Sequence, residues 1–529
     1  MMSGGTRGSL LGEHAQVALP GRPDCCWTAT APHTSYPPLS GSGGADVGVI
    51  GAGIVGLTTA YLLASAGLSV AVVEALRVGR QVTGRSTAKV TSQHSLIYRH
   101  LIETRGIDQA QYYAEANRSG ARQICDWVVE LGIACDLDSK SAYAYARDPA
   151  RRDEIAAEAE AARRVGFDAE VLDRAPLPFD TAAALRFRDQ AQFNPAKYLV
   201  GLALAVEAAG GRIFESTRVT AIDRGRRWRV TAADGVLDVE HVVVATNFPF
   251  TGPVEYDRST QPRGHTAMAF RARDEVAIDG MFIGIDEPRH SLRMGRDNEG
   301  PLLVVLGSSF KTGQERDVAG RFRDLDRWVH KNLPVGETVW RWFNEDYDTA
   351  DRVPFVGAPS NETPGFYIAT GFNAWGISNG TAAGMLIADQ IRGRSNPWAN
   401  LYAPARPSPK DFNTGGEAAS GIASIADLAP GEGGVIKDGK QKLAVWRDDN
   451  GQPHALSATC THKGCTVTWN NAERTWDCLC HGSMFNADGT VIHGPAVKPL
   501  PTKKVPAKRP TRRAPRSSSQ RRPRAKSGR

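Results

Sequence analysis

From Val47 to Val73 the chain carries no charged residue over 27 positions. A run of that length could span a membrane, yet Gly51, Gly53, Gly56 and Gly67 cut it into pieces. With those breaks, ADVGVIGAGIVGLTTAYLLASAGLSVAVVEA reads as strand, tight turn, helix, strand. Val47, Val49 and Ile50 make a short buried strand, and Ile54, Leu57, Ala60, Tyr61 and Ala64 recur at helical spacing. Gly67 stands where a left-handed helix stop belongs, and SVAVVEA resumes as a strand. In such a unit the glycines have separate work. Gly51 permits the sharp turn, Gly53 admits a pyrophosphate to the backbone, and Gly56 lets the helix close on the strand. The N–H groups at the helix start, with the helix dipole behind them, bind phosphate. Glu74 ends the second strand 18 residues beyond Gly56, where an acid accepts hydrogen bonds from ribose hydroxyls and disfavours a 2′-phosphate. The frame is therefore an α/β, Rossmann-like dinucleotide domain.

At 529 residues the chain exceeds what one hydrophobic core serves, and its 41% apolar content suits large globular cores. The formal net charge of +7 misleads. From Pro501 onward the chain holds twelve Lys or Arg and no acid, so the remaining body is mildly acidic. A Pro-, Ser- and Arg-rich end of this kind, residues 506–529, is expected to be disordered. It suggests no specific nucleic-acid partner. The N-terminal extension, 1–44, has no apolar run of signal-peptide length, and no other segment competes as a membrane span. The expected location is cytoplasmic.

Two further stretches carry a family likeness: VTGRSTAKVTSQHSLIY (82–98) and DTADRVPFVGAPSNETPGFYIATGFNAWGISNGTAAGMLIAD (348–389). Together with the glycine motif they resemble FAD-dependent oxidoreductases of the D-amino-acid oxidase and glycine oxidase superfamily, in particular its branch fused to a C-terminal Rieske domain. The resemblance implies FAD as the dinucleotide. It implies that Ser86 and Thr87 run beside the flavin, and that Gly371 and Gly376 permit close backbone approach. It also implies that the Val219 backbone meets the adenine, and that HVVVATNFP (241–249) leads back to the cofactor. The FAD-dependent domain would span 45–400, with a mixed-sheet substrate layer at roughly 100–190 and 255–340. The chain departs from the family at Asn194 and Phe310, where His is frequent.

The segment CTHKGCTVTWNNAERTWDCLCHGS begins at Cys460. It presents Cys460 with His462 and, after fifteen intervening residues, Cys478 with His481. Two thiolates on one iron and two imidazoles on the other make a Rieske [2Fe–2S] centre, and this segment is similar to that of Rieske proteins. The resemblance further implies a disulfide between Cys465 and Cys480 that pins the two loops. Mixed Cys/His ligands at these spacings also suit tetrahedral zinc. Against zinc stand the two matched extra cysteines and the HGSMFN…GPA pattern, which resembles a Rieske cluster cover. Cys25, Cys26, Cys125 and Cys135 show no ligand spacing. Short strands over 421–505 read as a small all-β domain, joined through a Pro-, Gly- and Ser-rich linker at 401–420. Ser483 stands where high-potential Rieske proteins carry a hydroxyl donor, and Phe485 where they carry Tyr. A midpoint potential below that of fully hydroxylated centres is expected, within roughly −150 to +300 mV.

A flavin accepts electrons in pairs and a [2Fe–2S] cluster carries one. A chain with both is a converter, and the resemblance implies that its substrate is an amine or amino acid. The expectation is an FAD-dependent amine or amino-acid dehydrogenase, acting on a CH–NH or CH–NH2 donor, that passes electrons through the cluster to an external acceptor. Arg293 is a candidate for pairing a substrate carboxylate. Tyr347 and Trp375 are candidates for lining the pocket. The alternatives are a redox sensor or electron-transfer protein without turnover, and an amine oxidase that uses oxygen. A reductase drawing on NAD(P)H would need a second nucleotide motif, and a Rieske oxygenase would need mononuclear-iron ligands downstream of the cluster. Neither pattern is present.

Overall fold

The computed structural model describes residues 18–252, 256, 258–275, 278–409, 412 and 421–506. Most of the expected disordered tail, and half of the expected linker at 401–420, lies outside these residues. The described part of the linker opens with the helix Ala399–Tyr402. Just beyond it, Arg406 pairs with Asp351.

The glycine-interrupted apolar run folds as its breaks require. The strand Gly41–Ile50 leads through the turn into the helix Ile54–Ala64, and the strand Val70–Val73 lies parallel to the first. Among the described residues, eight strands form this sheet. Its parallel centre runs from Phe366–Thr370 through Gly235–Val244, Gly41–Ile50 and Val70–Val73 to Arg212–Phe214. Parallel strands are buried on both faces, and Val70–Val73 accordingly reads VAVV with no exposed residue. The helix Ile54–Ala64 is apolar all round because it is sandwiched. The helices Pro195–Ala208 and Ser378–Ile391 pack against it. Each fully buried Val or Leu here contributes about 1.5–3 kcal/mol.

The second sheet is mixed and has eleven strands among the described residues. Its longest pair, Thr260–Arg271 and Thr338–Thr349, is antiparallel, whereas Met281–Gly284 runs parallel to Asp138–Ala146. The described part of the N-terminal 44 residues belongs to the body of the molecule. Arg22–Pro23 pairs with Thr338–Thr349, Cys25, Cys26 and Trp27 are buried, and Trp27 Nε1 donates to the Ser86 carbonyl at 2.9 Å.

Residues 421–506 form two small antiparallel sheets of three and four strands. Trp469, Trp476 and Phe485 pack in one cluster with Cys460 and Cys478. This unit is seated against the larger domain. Thr468 Oγ1 donates to the Gly313 carbonyl at 3.0 Å. Asn471 Oδ1 accepts from the Ala319 amide at 2.9 Å, and Arg218 Nη2 donates to the Val491 and Ile492 carbonyls at 3.2 and 3.1 Å. Met484 joins the apolar core under the mixed sheet. Among the described residues, no helix is long and apolar enough to cross a membrane.

Candidate functional site

A cleft opens above the C-terminal ends of the parallel strands, the position where open α/β sheets bind ligands. Gly51, Gly53, Glu74, Ser86, Thr87, Val219 and Gly376 all line it. Gly56 sits one turn into the helix. Gly51 adopts φ 104°, and a Cβ there would lie 2.5 Å from the Ala245 carbonyl oxygen, so only glycine makes this turn. The Glu74 carboxylate accepts from the Ala52 amide at 2.8 Å and the Leu76 amide at 2.9 Å. Its acid is thus held at the cleft wall, with burial pushing its pKa up. Gly371 does not line the cleft and lies instead in the turn beside Thr349.

The cleft fits a polar, elongated ligand for a second reason. His265 Nδ1, Asp346 Oδ1 and His493 Nε2 are buried without a hydrogen-bond partner, and all three residues line the cleft. Buried polar atoms are ordinarily satisfied, so three orphans lining one cleft mark a place where a partner binds. Burial lowers the His265 pKa to about 4 and raises that of Asp346 to about 7.

A cavity of about 580 Å³ adjoins the cleft and shares Ser86, Thr87, His265 and Ala374 with it. Trp375 lines the cavity, stacked on His94 at 4.7 Å. Burial lowers the His94 pKa to about 3, so this imidazole is neutral. Its Nδ1 lies 2.8 Å from Tyr113 Oη. The rest of the wall is cationic. Arg263 is paired to Asp348 and Arg289 to Glu287, whereas Arg352 and Lys89 have no carboxylate within ion-pair distance among the described residues. Arg352 holds a left-handed backbone with φ 60°, an uncommon conformation for a non-glycine residue.

Two expected substrate contacts are corrected by their placement. Arg293 does not line the cavity. It is buried, its Nη2 donates to the Phe193 carbonyl at 2.9 Å, and its guanidinium lies over the Trp27 ring at 4.5 Å. The strand that carries Arg293 thus spends that cation on the N-terminal segment. Tyr347 lines neither space. Its hydroxyl donates to the His481 carbonyl at 2.9 Å and lies 3.3 Å from Glu345 Oε1. It belongs to the seam between the two domains.

In the small domain the two loops converge. Cys465 and Cys480 form a disulfide. His462 Nδ1 and His481 Nδ1 face each other at 3.2 Å. The Cys478 thiol hydrogen-bonded to Cys460 brings the Cys460 pKa down to about 7, with Ser483 helping in the same direction. The sulfurs of Cys465, Cys478 and Cys480 also lie within 4.8 Å of one another, but two of them are spent in the disulfide. What remains is one pair of thiols and one pair of imidazoles. This donor set suits a cluster with two differently ligated irons. Ser483 is fully buried and its Oγ accepts from the Ala496 amide at 3.1 Å. Phe485, also fully buried, offers no donor. Phe485→Tyr is therefore expected to raise the cluster midpoint potential, read by EPR-monitored redox titration. An unchanged or lower value would dismiss this account of the donor.

The two sites meet. Ile492, His493 and Gly494 of the small domain line the cleft, and His493 Nε2 stands 3.6 Å from Glu345 Oε1. His265, Asp346, Lys89, Arg263 and Arg352 were not foreseen from sequence. Lys89 alone had a local signal, since it lies within the stretch expected beside the flavin.

Comparison with known proteins agrees with this geometry. Residues 46–390 match the family model of FAD-dependent oxidoreductases of the DAO type, and residues 420–504 match the Rieske [2Fe-2S] domain. The chain belongs to the DAO family of FAD-dependent oxidoreductases and carries a C-terminal Rieske domain. It is 32% identical over 498 residues to the Bacillus subtilis protein YhfW, named for a Rieske 2Fe-2S iron-sulfur protein, covering 90% of this chain and 97% of that one. It is 25% identical over 380 residues to the gamma-glutamylputrescine oxidoreductase of Escherichia coli, covering 67% and 86%. The glycine oxidase structure from Geobacillus kaustophilus superposes with a TM-score of 0.56 at 18% identity, covering 69% of this chain and 99% of that one. The two family matches give this chain FAD and a [2Fe–2S] cluster as cofactors.

Proposed function

We propose that the protein is an amine or amino-acid dehydrogenase whose electrons leave the flavin cleft through the seated Rieske domain to an external one-electron acceptor. One observation carries this reading: the small domain supplies part of the cleft wall, and the backbone of its ligand residue His481 is hydrogen-bonded to Tyr347 of the larger domain. The names of the relatives, a gamma-glutamylputrescine oxidoreductase and a glycine oxidase, support an amine or amino-acid substrate.

The flavin, when bound, would supply a two-electron acceptor, and the cluster a one-electron carrier. The chain's own residues do the rest. The glycine turn, Glu74 and the Val219 backbone hold the dinucleotide, with Ser86, Thr87 and Gly376 along the cleft wall. Cys460, Cys478, His462 and His481 hold the cluster. Arg352, whose Nη1 donates to the Leu96 carbonyl at 3.1 Å, has no carboxylate partner among the described residues and offers the rest of its planar fork to a substrate carboxylate. The stacked Trp375 and His94 give the cavity a flat ring face against which a substrate side chain can pack. Tyr347 ties the His481 loop to the larger domain through its hydroxyl.

The test is an anaerobic titration with a panel of amines and amino acids, following flavin absorbance and the cluster EPR signal together. One compound is expected to bleach the flavin, with the reduced-cluster signal rising after it. A flavin that bleaches while the cluster stays oxidised would replace this reading with an oxygen-using oxidase. A flavin that no compound reduces would replace it with a redox sensor or electron-transfer protein.

A further inference from the structure

Lysine is rarely buried without an acid partner, because its ammonium is costly to remove from water. Lys89 is half-buried in the wall of the substrate-side cavity and has no acid partner among the described residues. It lies on the short strand Lys89–Val90, two positions beyond Thr87, which lines both cleft and cavity. Its side chain keeps some accessible surface, and that surface is cavity wall. Nζ donates to the Phe282 carbonyl at 2.8 Å and to Ser291 Oγ. Both partners are neutral.

The charges around it are unfavourable to a cation. Arg293 stands two residues beyond Ser291 on the same strand. The strand Met281–Gly284 presents no ionisable side chain, and the residues opposite Lys89–Val90 are Gln192 and Ala191. The same cavity is lined by the Arg263–Asp348 and Arg289–Glu287 pairs and by His265, and His290 directly precedes Ser291. Burial first, and Arg293 second, bring the Lys89 pKa down to about 7.

Three roles are open to such a lysine: a brace for the sheet, an anchor for a substrate carboxylate, or a proton acceptor. Arg352 is the better anchor, because it shares the cavity, lacks a carboxylate partner and stays charged at every working pH. A brace has no need of cavity exposure. An amine substrate, in contrast, arrives mostly as ammonium, since amines of this kind resemble lysine with a pKa of about 10.4. Its C–N bond cannot become C=N while a proton holds the nitrogen lone pair. Some group beside the oxidant must take that proton.

We propose that Lys89 is the proton acceptor for the substrate nitrogen. A substrate N–H bond breaks, an Nζ–H bond forms, and the substrate becomes a free amine. No electrons move in this step; the oxidation itself remains that of the dehydrogenase reading above, with FAD as oxidant, and the inference rests on that reading. After turnover the proton leaves Nζ for water in the cavity.

The first experiment needs no substrate. Trace acetic anhydride labelling of the full holoprotein across pH, read lysine by lysine by mass spectrometry, is expected to give Lys89 a midpoint near 7, with exposed lysines labelling only at alkaline pH. An ordinary lysine profile at Lys89 overturns the proposal. The second uses an amine that reduces the wild-type flavin. Lys89→Met is expected to slow single-turnover flavin reduction on the order of 10²–10⁴-fold and to abolish the rise in rate through neutral pH, with FAD content and dithionite reduction unchanged. An effect on KM alone, with the pH profile kept, would make Lys89 an anchor and overturn the proposal. Lys89→Arg keeps the charge and the donors to Phe282 and Ser291, so it guards against misfolding of the Met variant; a wild-type rate in it also overturns the proposal. If no amine reduces the wild-type flavin, the broader reading falls first, and the labelling result still shows whether this amine is neutral.

Discussion

Cys478→Ser is expected to abolish the [2Fe–2S] EPR and visible signatures while substrate still bleaches the flavin. Cys478 closes the strand Thr475–Cys478, fully buried and paired with Val467. Serine keeps the shape of the side chain but loses the soft, readily ionised ligand atom that iron–sulfur clusters take. Cys465 and Cys480 are untouched, so their disulfide still joins the two loops. The dinucleotide unit makes its contacts around Gly51 and Glu74, far along the chain from this strand, and should retain FAD. Part of the folding free energy of a metal-bearing domain comes from the metal, so the small domain should also unfold at a lower temperature than in the wild type. Iron content, EPR after dithionite and anaerobic flavin bleaching read the three outcomes separately. A persistent Rieske signal would remove Cys478 from the ligand set.

The parts of the molecule that were legible in sequence are those whose chemistry is local. Gly51, Gly53, Gly56 and Glu74 lie within one supersecondary unit, and each has a residue type that the unit's geometry demands. Cys460, His462, Cys478 and His481 fall into two short loops with a fixed offset. Arg293 and Tyr347 were misread for the opposite reason. An arginine on a strand of a substrate layer suggests a carboxylate contact, but the buried Trp27, 266 positions earlier, takes its guanidinium. Tyr347 looks like a pocket aromatic, yet its hydroxyl partner is a carbonyl 134 positions later, in another domain. His265, Asp346 and Arg352 gather around the cleft and cavity only through the pairing of Thr260–Arg271 with Thr338–Thr349 and the turn that follows. No spacing in the sequence announces such a cluster. The N-terminal residues Cys25 to Trp27 gave no sign of their burial either, because five helical residues are too few to show a period.

Gly313→Val is expected to disconnect the two redox sites, drawing the small domain's Ile492–Gly494 away from the cleft while leaving the cluster loops and the glycine turn in place. Gly313 belongs to the larger domain and holds φ 74°. A Cβ there would come within 2.7 Å of the Leu479 amide nitrogen and 2.9 Å of its Cα. These are backbone atoms between Cys478 and Cys480, which a rotamer change cannot move aside. A branched side chain at this point must therefore push the small domain off its seat, at a stability cost of about 1–3 kcal/mol. The cluster loops keep their own sequence and disulfide, and the cavity wall keeps Trp375, Arg352 and Lys89. Substrate should then bleach the flavin at close to the wild-type rate, while cluster reduction becomes slow or incomplete, because electron transfer falls steeply with distance. Tyr347→Phe is the milder companion. It removes one hydrogen bond, worth about 0.5–1.5 kcal/mol, and should slow cluster reduction less than the wedge does. Stopped-flow absorbance with freeze-quench EPR reads both variants. If cluster reduction in Gly313→Val keeps pace with the wild type, electrons do not cross at this seam, and transfer must instead occur after the small domain has left it.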